Sequence, residues 1–243
     1  MQSFKIDFLL LPQIQNLNIM NNQVAIERLQ NEAKLFLKET KLILNEVSIQ
    51  PKEIEVYYFN EGEFEDTSVH RNDLQKNNKS HFYVHRRGIA KTDNYKGGNR
   101  GGLDFVVSDN ENIYYSYLIR SALINDELVI GPHNVLESIL KCCKIEKETL
   151  ESKTVGLASN DVSGDVLFSR RVNLGKNAGQ FHECRLRAVL CDDYFKTSKY
   201  PAKGIMIVDF LLDQIQSQHM TKDQASEYAK QKLGYIPYEI QRA

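Results

Sequence analysis

The residues whose types and spacing suggest chemistry lie in a short alternating run, Glu53 to Phe59. On a strand, Ile54, Val56 and Tyr58 point to one face and Glu53, Glu55, Tyr57 and Phe59 to the other. With a rise of about 3.3 Å per residue, Glu55 and Tyr57 project from the same face roughly 7 Å apart. A carboxylate beside an aromatic ring suits a general base next to a stacking surface, the combination that hydrolysis of a base–sugar bond needs. The same alternation also describes an amphipathic strand with its polar face in water. No lysine shares the Glu55 face, so Schiff-base chemistry and strand cleavage are not indicated.

A second feature is electrostatic. The chain has a net charge of −1, yet between Arg71 and Arg100 there are eight basic residues (Arg71, Lys76, Lys79, Arg86, Arg87, Lys91, Lys96 and Arg100) against Asp73 and Asp93. Total charge says nothing about local field, and this segment is a footprint suited to phosphates, or else a solvated basic loop. The glycine cluster inside it, Gly97 to Gly102, lacks both the Lys-Ser/Thr ending of a phosphate-binding loop and the dinucleotide-binding spacing. His182, Glu183 and Cys184 have the wrong order for a zinc deaminase and lack its second cysteine motif. The four cysteines, Cys142, Cys143, Cys184 and Cys191, show no C-x-x-C spacing, so neither a metal site nor a disulfide framework is expected. The apolar run Phe8 to Leu11 is too short to span a bilayer and has no cleavage site after it, so export and membrane insertion are not expected.

The elements that must position these residues follow from periodicity. The first 50 residues read as a scaffold, a short apolar strand and then one long amphipathic helix carrying Val24, Ile26, Leu29, Ala33, Phe36, Leu37 and Leu44. Phe82 to His85, Leu103 to Val107 and Tyr114 to Ile124 read as further strands, and Leu128 to Ile130 as another before Gly131. Pro132 opens a helix through Cys143. A strand pair is expected near Arg171 and Arg185, then two helices: Ile205 to Gln218, and one begun by the capping box of Thr221 and Gln224 and ended near Gly234. No repeat or linker divides the 243 residues. The expected fold is α+β, one domain over residues 1–243 with a curved antiparallel sheet flanked by helices; the active-site sheet and loops occupy 53–190 and the C-terminal helices 203–243.

Several segments, in order, resemble the alkyladenine DNA glycosylase family. EIEVY, from Glu53, is similar to the strand that carries the family's catalytic glutamate. DTSVH, ending at His70, is similar to its acidic-xxx-His element, after a spacer about four residues longer. FYVHRRG from Phe82, GLDFV around Asp104, YLIRSAL around Arg120, GPHNVL from Gly131, SRRVNLGKNAG from Ser169 and RLRAVL from Arg185 follow as the family's segments do. The resemblance covers about residues 53 to 190 and implies the fold of those glycosylases, which is also like the formyltransferase C-terminal domain. It implies that Glu55 deprotonates water, with Arg120 and the main-chain carbonyl of Val172 completing the water site. Tyr57 and His85 would sandwich the extruded base, His70 would hydrogen-bond to it, and Asp104 would read its edge. Arg86, Arg87, Lys91, Lys96 and Arg100 would contact the nucleic-acid backbone.

The departures bear on substrate. His85 stands where the family has tyrosine, which keeps stacking but makes the pocket more polar. Asp104 replaces an amide, losing a donor and gaining an acceptor for an exocyclic amine. Arg87 replaces an intercalating tyrosine, which suits phosphate or single-strand contact. The expectation is a monomeric, monofunctional, metal- and cofactor-independent N-glycosylase acting on DNA, damaged or modified and including single strands. Its place would be base excision or modified-base removal, in the cytoplasm with the nucleoid of a bacterium or the nucleus of a eukaryote. The alternatives are a non-catalytic nucleic-acid-binding protein of the same fold and an N-glycosidase of nucleosides or RNA.

Overall fold

The computed structural model describes residues 11–85, 101–172, 174–192 and 203–243. Helix α1 spans Leu11–Glu39. Ala25, Leu29, Ala33, Phe36 and Leu37 recur at helical spacing along it and are buried, so one stripe seals against the sheet. Leu11 opens this helix rather than ending a strand, and the remainder of the expected N-terminal strand lies outside the described residues. Leu44 departs from the expected helix too. It closes strand β1 (Thr40–Leu44), which turns back through Asn45 and Glu46 into β2 (Val47–Asn60) with Leu44 opposite Val47. Asn45 has φ +44°, the left-handed conformation that a two-residue hairpin turn demands and that asparagine tolerates.

The expected α+β class with a curved antiparallel sheet is the observed one: among the described residues ten strands join in a single curled sheet. Its central path runs β4 (Phe82–His85), β5 (Gly102–Val106), β6 (Ile113–Ile124), β2, β1 and β8 (Gly156–Ser159). Short β3 (Phe64–Glu65) joins β2, β7 (Glu127–Ile130) joins β6, and β10 (Arg187–Asp192) pairs with both β2 and β9 (Gly164–Ser169). The expected strand pair near Arg171 and Arg185 is β9 with β10, and the two arginines lie just beyond the strand ends.

Helix α2 (Pro132–Cys143) begins at Pro132 as its fixed φ favours, and short α3 (Lys147–Glu151) follows. The C-terminal helices are α4 (Lys203–Gln216), α5 (Lys222–Leu233) and α6 (Tyr238–Arg242). Thr221 caps α5 with the reciprocal Thr221–Gln224 box, and Gly234 ends it in the left-handed conformation. The main core lies on the sheet face carrying Ile54, Val56, Phe82, Val84, Leu103, Phe105 and Ile119, against α1 and α2. A second core, Val189, Cys191, Ile207, Phe210, Leu211, Ala225 and Ala229, packs α4 and α5 on the other side of β10. Among the described residues no helix is long and apolar enough to cross a membrane.

Candidate active site

Alternation in β2 sends Ile54 and Val56 into the main core and Glu53, Glu55 and Tyr57 to the opposite face. That face is not in water: Glu55 is 1% exposed, Glu53 3% and Tyr57 6%. The amphipathic strand with a solvated polar side is therefore ruled out, because β10, the segment 170–172 and the residues after β3 cover it. A buried carboxylate needs compensating donors, and Glu55 has them. Its Oε1 accepts from Arg120 Nη1 at 3.2 Å and from the main-chain N–H of Val172 at 3.0 Å, and its Oε2 accepts from the Tyr57 hydroxyl at 3.0 Å.

Arg120 reaches this face through a bulge. Glu53 pairs with Ser121 and Ile54 with Ile119, so Arg120 is the extra residue between them and both Arg120 and Ser121 turn toward Glu53. Bulges re-aim side chains in this way. The Arg120 carbonyl accepts from Gly131 N–H at 2.8 Å, one step beyond the β6–β7 pairing of Ser121 with Ile130.

Val172 meets Glu55 through its main-chain amide, a contact separate from the water-holding role expected of its carbonyl. The contact is set by its neighbour Arg171, whose side chain is completely buried. Arg171 Nη1 pairs with Asp66 at 2.6 Å and donates to the Val56 carbonyl at 3.0 Å, while Nη2 reaches the Phe181 carbonyl at 3.4 Å. Asp66 in turn takes the Ser68 amide and hydroxyl. Burial opposes the charge of Arg171, but Asp66 together with Tyr57 and Glu55 brings the guanidinium pKa above its ordinary value. The Arg171 guanidinium also sits 5.0 Å from the Tyr57 ring centroid. Burial and then the Glu55 charge push the Tyr57 hydroxyl pKa well up, which keeps it a donor.

Asp104 and Tyr83 occupy the same face farther along the sheet. Register places Glu55 opposite Leu118, Leu118 opposite Asp104 and Asp104 opposite Tyr83, a row across four strands. Two strand spacings, about 10 Å, separate Glu55 from Asp104. Asp104 is completely buried, and its Oδ2 accepts from Ser116 Oγ at 2.8 Å and Gln75 Nε2 at 3.3 Å. His70 belongs to this second group: its Nδ1 lies 3.1 Å from the Tyr83 hydroxyl. His85 ends β4 opposite Gly102. Arg86, Arg87, Lys91, Lys96 and Arg100 lie outside the described residues. Of the other basic positions, Arg71 lies over the Phe59 ring, Lys76 pairs with Asp73 and Lys79 with Asp109.

The site thus has two groups, Glu55–Arg120–Val172–Tyr57 and Asp104–Ser116–Gln75 with His70–Tyr83 beside it. Residues that sequence reasoning passed over complete it: Glu53 and Arg187 behind Arg120, Arg171 and Asp66 behind Tyr57, Gln75 and Ser116 beneath Asp104. The signals were present as the first glutamate of Glu53-Ile54-Glu55 and the doubled arginine Arg170-Arg171. Among the described residues no cluster of His, Cys, Asp or Glu could hold a metal ion. No protein-family model matches the chain, and no curated protein matches it.

Proposed function

We propose that this protein is a monofunctional DNA N-glycosylase in which Glu55 activates the water that displaces a damaged or modified base. The observation that carries the proposal is the hydrogen-bonding of Glu55. Two donors hold Oε1, whereas Oε2 accepts only the Tyr57 hydroxyl among the described residues. A carboxylate oxygen can accept twice, so Oε2 keeps a second acceptor position, which water reaches once the cover over this 1%-exposed residue opens. Arg120, on Oε1, supplies positive charge that orients the carboxylate.

Asp104, Ser116, Gln75, His70 and Tyr83 form a polar row on the same sheet face, suited to reading the hydrogen-bonding edge of an extruded base. The basic segment up to Arg100 supplies phosphate affinity. In this scheme Glu55 takes a proton from water as the oxygen bonds to the sugar carbon, the base departs with the glycosidic electron pair, and an abasic sugar remains.

A second reading has a specific observation in its favour. The Tyr57 ring is 6% exposed and packed by Val69, Leu118 and Leu174, with Arg171 over it, so a base could stack there only after these groups move. A non-catalytic nucleic-acid-binding protein needs no such movement. The deciding experiment incubates the purified chain with single- and double-stranded DNA carrying methylated or deaminated bases and identifies released bases by mass spectrometry. Glycosylase action predicts release that Glu55→Gln slows by roughly 100-fold to 10,000-fold while DNA binding persists. Salt-dependent binding without release from any of these substrates would reject it in favour of the second reading.

A further inference from the structure

Five side chains of alternating charge run from helix α4 to Glu55. Asp209 accepts from Arg187 Nη1 at 2.9 Å, and Arg187 Nε donates to Glu53 Oε1 at 2.7 Å. The same Glu53 oxygen accepts from Arg120 Nε at 3.0 Å, and Arg120 Nη1 reaches Glu55 Oε1 at 3.2 Å. Ser121 Oγ adds a longer contact to the other Glu53 oxygen, at 3.4 Å. Glu53, Arg187 and Glu55 are buried, and Arg120 is the partly open member, its side chain 18% exposed.

The way Arg120 is shared is chemically informative. An arginine meeting a single carboxylate favours two parallel N–H to oxygen bonds, one to each oxygen. Arg120 does not close on Glu55 in that fashion. Its Nε edge is committed to Glu53, so only Nη1 reaches Glu55, and it reaches the oxygen already held by Val172. We infer that Glu53 is a positioning residue that divides Arg120 between two carboxylates and so keeps the guanidinium off Oε2 of Glu55, which accepts the Tyr57 hydroxyl and retains a second acceptor position. Arg187 makes this arrangement possible by compensating Glu53 from the far side, because two buried carboxylates sharing one guanidinium would leave a buried charge unpaired. Burial opposes the charge of Arg187, yet Glu53 and Asp209 bring its pKa above the ordinary arginine value.

The inference rests on Glu55 being the water-activating base, and its test separates the two. Glu53→Gln keeps the shape of the residue and removes its charge. In a crystal structure of this variant, Arg120 is expected to turn and contact both oxygens of Glu55; Arg120 left where it is would overturn the inference. In single-turnover base release from methylated or deaminated DNA, Glu53→Gln should be slower by up to roughly 100-fold, with the dissociation constant for that DNA unchanged within about twofold. Because Glu53 acts through Arg120, adding Glu53→Gln to Arg120→Gln should cause no further loss. An equal loss in both backgrounds, or no loss in either, would show that Glu53 only supports the fold. If the wild-type chain releases no base from these substrates, the glycosylase proposal fails and the position of Arg120 in the variant still decides the role of Glu53.

Discussion

The two faces of strand β2 are buried to the same depth by opposite means. On one, Ile54 and Val56 meet Leu103, Phe105 and Ile119 and lose only hydrocarbon surface to the interior. On the other, Glu53, Glu55 and Tyr57 are equally hidden from water but bring two carboxylates, which Arg120, Arg187 and Arg171 surround. The first arrangement is stabilising by itself, at about 25 cal/mol for each Å² of apolar surface. The second recovers desolvation through charge pairing and is often no better than apolar packing of the same volume. A charged interior beside an ordinary core is therefore not accounted for by stability alone, and it is the face to which the proposed function assigns its chemistry.

Removing one half of a buried ion pair should expose that difference most strongly. Arg171→Met leaves Asp66 buried without its cation and should cost about 3–5 kcal/mol, measured as a lower urea midpoint by circular dichroism. Adding Asp66→Leu should return much of the loss, as expected if the pair exists for position rather than for stability. No recovery would mean that the Arg171 bonds to the Val56 and Phe181 carbonyls carry the structure instead.

On the apolar face, Ile54→Ala should cost about 2–5 kcal/mol through lost burial and the cavity left behind. The companion change that would restore stability across an ion pair has no counterpart there, so a second truncation at Ile119 should deepen the loss. Recovery in that double variant would break the contrast drawn between the faces.

The smallest effect is a pH dependence. Folded Tyr57 holds its proton more tightly than the unfolded chain does, because of burial and then the Glu55 charge. Unfolding therefore releases a proton once pH passes the unfolded tyrosine value of about 10. The stability associated with that proton is fully present below this pH and is lost as pH rises toward the folded value, at about 1.4 kcal/mol per pH unit for one group. Tyr115 and Tyr117, on the apolar side, are raised in the same direction, first by burial. Tyr57→Phe should reduce the alkaline slope of unfolding free energy by one proton, and an unchanged slope would mean that Tyr57 ionises as readily in the folded chain as in the unfolded one.

Much of the frame could be read from local pattern. Strand β4 and helix α2 have the expected bounds, β6 begins one residue early, and Thr221 and Gly234 cap α5 as their side chains require. The miss at Leu44 is physical too: its apolar spacing fits a helix and a strand alike, and the Asn45–Glu46 hairpin decides between them. The missed elements β8 and α3 carry one large apolar residue each, Leu157 and Leu150, which is too little to show a period.

What the sequence determined by itself is most of the longer elements and the candidacy of Glu55 with Tyr57 on one strand face, because periodicity and caps act over a few residues. Only the tertiary structure decided that this face is closed and that the bulge at Arg120 turns its side chain onto it. The same holds for the Val172 contact, made through an amide, and for Glu53, which shares Arg120 with Glu55. Those facts depend on register among strands more than 60 residues apart, and a pattern local to one segment cannot encode which distant partner it will meet.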